Sequence, residues 1–405
     1  MCRVNKRTVI YCFSKLICLF MFLTVFCVAF PGRVYGEGAG MEQEIIEQQM
    51  NTDEVKSVEE NLKRAMDEEF YEIMPDYNPE KMIKDLTKGE FKFDFTIIFK
   101  KILMYLFKEV YVNIDLLIKL IVLAIICAVL NNLQSSFMSK SVGELAFYVC
   151  YIVLVSVLVI SFNSALKSGI QIIDAMVNFM YSSIPVLVTL LISGGNITSG
   201  GILHPVLIAI VQFTATVIKN VFIPLIILST VISIVNNISD KVQVARLASF
   251  LKNITSWSLG FILTLFVAVI SLQGTLGAVV DGVASKTTKF AIGVFVPVAG
   301  KYLADAADTV LGCTLLIKNA FGVAIMIGII SISLIPVLKM LAIIGVYRLA
   351  CVFLEPVAEN RIIKCIGEVA GSITYIFAIV ASVSFMFLLT VATLVTAGNL
   401  SSMMR

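Results

Sequence analysis

From Ile114 onward the chain alternates long apolar runs with short polar interruptions. A run of about 18 or more apolar residues is long enough to cross a hydrocarbon layer about 30 Å thick as a helix. On that basis spans are expected at about 114–133, 145–166, 202–219, 220–238, 257–280, 320–338, 340–357 and 371–397. The fold class is therefore all-α, a polytopic helical membrane protein with about 7–9 spans, filling a membrane domain of residues 97–405.

Two apolar segments fit this scheme less well. Residues 172–192 carry Pro185 and run straight into "SGGNITSGG" from Ser193, and residues 290–316 carry Pro297, Gly300, Lys301, Asp305 and Asp308. Proline removes a backbone donor and clashes with the preceding turn, so both read as Pro-broken segments. Lys301, Asp305 and Asp308 are spaced to share one helical face. Two readings of the second segment stay open. In one, an interfacial helix keeps its charges among lipid headgroups. In the other, a re-entrant hairpin bent at Pro297 and Gly300 presents the three charges to a polar interior, because broken backbone and charge at membrane depth must meet protein or water.

The spacing of these segments raises an internal repeat. A shift of 112 residues places Pro185 on Pro297, Pro224 on Pro336, and the span at 145–166 on that at 257–280. A competing shift of 99 places Ile218-Lys219-Asn220 on Ile317-Lys318-Asn319. The two registers exclude each other. A true duplication would match the repeat construction of transporters, whose broken helices meet near the midplane.

Ahead of the spans the pattern changes. Arg3, Lys6 and Arg7, an apolar run from Val9 to Phe30 and then Pro31-Gly32 read as a signal peptide over residues 1–36, cleaved after Gly36, with an uncleaved anchor as the alternative. Residues 37–96 hold 17 acidic and 7 basic residues, a balance of −10, and either reading delivers them outside the cytoplasm. Within them Val55, Val58, Leu62, Met66 and Phe70 recur at helical spacing, which makes an amphipathic helix that docks on a partner, or else an acidic linker. Phe95, Ile98, Phe99, Ile102 and Leu106 share a face of a helix expected to lie along the bilayer surface.

Composition sharpens this picture. The 405 residues are 59% hydrophobic and 15% charged, with a net charge of +3, so the chain outside the acidic segment is basic. Lys241, Arg246 and Lys252 face one acid, Asp240, in a loop expected on the cytoplasmic side, with Trp257 anchoring the next span. The bilayer is the partner this implies, and nothing points to nucleic acid. None of the nine cysteines forms a Cys-x-x-Cys pair, so they read as small buried hydrophobes. A single histidine, His204, leaves no His-Glu-x-x-His site and no ready Ser-His-Asp triad; before Pro205 it reads as a helix-start residue or a proton relay. No nucleotide-binding Gly-rich loop occurs, and Asp305 and Asp308 sit in one segment rather than in adjacent spans. The chain reads as no enzyme, without cofactor or metal.

Three stretches carry a family likeness: "YSSIPVLVTLLISGGNITSGGILHPVL" from Tyr181, "WSLGFILTLFVAVISLQG" from Trp257, and "DGVASKTTKFAIGVFVPVAGKYLADAADTVLGCTLLIKNAFG" from Asp281. Together they resemble the stage III sporulation protein AE family over about residues 180–357. The resemblance implies a core component of a secretion-like channel complex in the mother-cell membrane around the forespore, required for late forespore development. It implies as partners other stage III sporulation membrane proteins and a forespore membrane channel partner, and it brings no catalytic residues. A stand-alone permease for a small solute is the alternative, which the repeat and the Pro-broken segments favour.

Overall fold

A computed structural model describes residues 69–403 except 75–77, 88–94, 137–139, 239–243 and 296–299, and before them Lys56, Glu60 and Lys63. The described residues are helical, with no strand among them. The short α1 (Phe70–Ile73), α2 (Pro79–Thr87) and α3 (Phe95–Val112) precede α4 (Ile114–Ser136) and α5 (Lys140–Ser193). Helix α6 (Ile197–Val217) runs through a π turn (Ile218–Phe222) into α7 (Ile223–Ile238). Then come α8 (Ala245–Phe295), α9 (Gly300–Leu354) and α10 (Asn360–Met403).

Among the described residues five helical stretches are long and apolar enough to cross a membrane: Leu145–Ser193, Ile197–Asn237, Ala245–Gln273, Thr309–Leu354 and Asn360–Asn399. A sixth is added if Thr96–Val112 and Ile114–Leu130, bent by 41°, act as one span. This replaces the expected 7–9, and the reason is physical: neighbouring apolar runs lie on single helices. Residues 145–166 and 172–192 share α5, and 320–338 and most of 340–357 share α9. Pro185 does not break α5, whose Ile184, Val186 and Leu187 around it are buried, so packing holds the helix past the missing donor. Residues 202–219 and 220–238 are joined by the π turn, where Ile223 N–H reaches back to Ile218 O and the widened turn receives Pro224 just after it. Pro297, where a break is expected, belongs to residues 296–299 between α8 and α9, which lie outside the described part.

Helices α9 and α10 pack along each other at the centre, and α5 packs against both. Gly169 allows the closest approach of α5, since a Cβ there would collide with Ile376 and touch Met340 Cε at 3.4 Å. Helices α7 and α8 pack on α10, while α2, α3 and α4 pack on α9. The face expected for α3 is only partly right. Ile98, Ile102 and Leu106 pack with buried Tyr105 against Ile73, Ile335 and Leu338, but Phe99 points outward.

Candidate functional site

The residues chosen from sequence fall in two places. Gly300 opens α9, and Lys301, Asp305 and Asp308 occupy its first turns; the side chains of these residues, and Pro297, lie outside what is described. On the docking face Val55, Val58, Leu62 and Met66 also lie outside it. Phe70 is described, and the chain itself buries it at 1% exposure in the main core. For that residue the partner is intramolecular.

The best-defined buried polar site is at the end of the bundle where α5 turns into α6. The turn is a Schellman motif: Asn196 N–H bonds to Leu191 O, Gly195 N–H to Ile192 O, and Gly195 takes the left-handed φ of 81° that such a turn requires. The start of α6 then needs acceptors for its free N–H groups. Asp281, from α8, supplies them: its two oxygens accept Thr198 N–H and Ser199 N–H at 2.9 Å each. A carboxylate at this positive helix end replaces the usual N-cap side chain, and Asp281 is only 2% exposed. Gly277 lets α8 close in, because a Cβ there would crowd Ser199 Oγ at 2.6 Å.

Beside the same turn Lys318 of α9 is buried at 1% exposure and donates to Val395 O of α10 at 2.8 Å. Its ammonium occupies space that a Cβ on Gly398 would take. Asn319 donates to Asn399 Oδ1 at 3.1 Å. Together these contacts tie α5, α6, α8, α9 and α10 at one end. Buried charge is costly unless bonded, so the arrangement specifies how the helices seat.

A second set of polar contacts lies further along α9 and α5, away from that end. Lys339 of α9 reaches both oxygens of Glu69, at 2.7 and 2.8 Å, and Tyr105 donates to Glu69 at 2.7 Å. Lys108 pairs with Glu72 at 2.7 Å. The Lys339 ammonium holds the Glu69 carboxyl below the usual carboxylate range, against the opposing effect of partial burial. On the α5–α6 side Asp174 pairs with Lys219 of the π turn, and Tyr181 donates to Gln212. Near the other end Lys252 pairs with Glu368 at 2.5 Å and Tyr151 donates to Asn237 O at 3.2 Å.

Reading by sequence missed Asp174, Lys219, Asp281 and Lys318. The signal was present, since each is an ionisable residue within or beside an apolar run; Lys219 and Lys318 entered only as a repeat register. The structure gives those two lysines different surroundings, one half-exposed in an ion pair and one buried against a carbonyl. Among the described residues no three His, Cys, Asp or Glu side chains group as metal ligands would. Cys127, Cys313 and Cys365 are buried.

Long apolar helices tied by a few buried polar contacts define the class: a polytopic all-α membrane protein. The profile of the stage III sporulation protein AE family matches residues 77–398. The stage III sporulation protein AE of Bacillus subtilis (strain 168) is 36% identical over 306 residues, covering 76% of this chain and 77% of that protein. The chain belongs to the stage III sporulation protein AE family, and a role in sporulation follows. No solved structure matches.

Proposed function

We propose that the chain is a membrane core component of a sporulation-specific, secretion-like channel complex connecting mother cell and forespore, required for late forespore development. It sits in the mother-cell membrane around the forespore with its N-terminal segment extracytoplasmic. Its partners are other stage III sporulation membrane proteins and a forespore membrane channel partner. It does no catalysis and contributes by assembly. One observation carries the reading: the family match runs from residue 77 to 398 and so takes in nearly the whole helical body. The alternative, a stand-alone permease, drew on helices broken at paired prolines, and the unbroken passage of α5 through Pro185 weakens it.

The test is recovery of the tagged chain from sporulating cells after engulfment, with mass spectrometry of what accompanies it. Other stage III membrane proteins are the expected companions; a chain recovered alone from cells that need it for spores would favour the permease. Lys301, Asp305 and Asp308, beside Pro297 and Gly300, keep the role of a polar intramembrane site within this reading. Asp305→Leu with Asp308→Leu is expected to leave the protein inserted but stop sporulation after engulfment. A normal spore yield would remove them from it.

A further inference from the structure

The outward face of α5 changes character along its length. In its first half the exposed residues of that face are apolar, Leu145, Val149, Ile152 and Ile160, apart from Ser156, whose hydroxyl bonds back to Ile152 O. Beyond them Asn163, Lys167, Gln171, Asp174, Asn178 and Tyr181 follow at steps of three and four, which puts them on one face. Asn163, Lys167, Gln171 and Asn178 are exposed. The neighbouring α6 continues this face through exposed Gln212 and Thr216 to Lys219, joined to α5 by the Tyr181–Gln212 and Asp174–Lys219 contacts. All of it lies within two of the stretches apolar enough to span a membrane. The two stretches, of 49 and 41 residues, are longer than one crossing of about 30 Å needs, and wherever polar and charged groups within them reach lipid depth they are costly against lipid and face water or protein instead.

We propose that water, not lipid, covers this face: it is the hydrophilic wall that the chain contributes to an aqueous compartment open to the side where Glu69 lies. The level of the face supports that opening. Gly169 sits against Met340, and the adjacent Lys339 holds Glu69, so the N-terminal segment meets the bundle where the polar face begins. Lys167 and Lys219 against Asp174 give the wall a formal charge of +1, which suits small neutral or anionic solutes over cations. The inference rests on the proposed function only for which side is extracytoplasmic.

The test places single cysteines at Gln171, Asn178 and Thr216, with Ile152 as a lipid-facing control, in the full chain produced in a bacterial membrane. A membrane-impermeant thiol reagent added to spheroplasts should label the three positions and spare the control. A fluorophore attached there should be quenched by aqueous iodide and not by spin-labelled lipid. With Lys167→Glu, the ratio of labelling rates at position 171 by anionic and cationic reagents should fall several-fold. Quenching by lipid overturns the proposal, as does labelling only after detergent, which would mean another protein surface covers the face. Labelling from the cytoplasmic side alone also overturns it. Each of these outcomes leaves the recovery of companion proteins untouched, so the two ideas fail separately.

Discussion

At the scale of single residues, Asp281 carries the clearest consequence. Its two oxygens hold two backbone N–H groups at the start of α6, and it is nearly fully buried. Asp281→Ala leaves both donors without that carboxylate, a change expected to cost about 2 kcal/mol, in the range for a lost helix cap or a buried unmade hydrogen bond. Asp281→Asn keeps one acceptor oxygen and should lose less. Thermal unfolding of the detergent-solubilised protein measures both; equal losses would contradict the capping role. The span expected at 257–280 stops one residue short of Asp281, and its partner was not legible in sequence, because a cap donated from another helix leaves no local spacing. The same holds for Lys318, whose acceptor is a backbone carbonyl 77 residues away.

At the scale of elements, the N-terminal helices are latched rather than free. Phe70, Ile73, Met82 and Ile83 are buried, and Glu69 and Glu72 pair with Lys339 and Lys108. A carboxyl held below its ordinary value contributes stability that is present above the unfolded value, about 4.3 for glutamate, and is lost as the pH falls through the folded value. The latch should therefore hold at neutral pH and loosen on acidification below that range. Both partners are more than a third exposed, so the contribution is under about 1 kcal/mol. Hydrogen exchange of residues 70–87 as a function of pH reads it, and Lys339→Met should flatten the dependence. An unchanged profile in that variant would show that the apolar contacts alone hold the segment. Helices were legible here from apolar periodicity, but joints were not: proline marks a weakened turn, and whether the helix survives depends on packing that one stretch of sequence does not display.

At the scale of the molecule, length is the governing quantity. Helices of 54 and 55 residues, α5 and α9, are about 80 Å long, against a hydrocarbon layer of about 30 Å. The bundle therefore extends well past one bilayer thickness, and the apolar exterior of α4, α7 and the first half of α5 marks where lipid has most to cover. Exposed Trp257 near the start of α8 fits an interfacial anchor. With the basic stretch around Arg246 and Lys252 on the cytoplasmic side, a cysteine at Asn253 should label only from the cytoplasm and one at Glu60 only from outside. Labelling of position 253 only from outside would invert the orientation.

The bond between Asp281 and the start of α6 also sets an order of events during synthesis. Thr198 and Asp281 are 83 residues apart in the chain. At about 5–20 residues per second, α6 leaves the ribosome roughly 4–17 s before the carboxylate that completes it. Through that interval the start of α6 lacks its closing acid, which comes only with α8. A nascent chain stopped before residue 281 should thus expose the turn to protease, and one extended past α8 should close it.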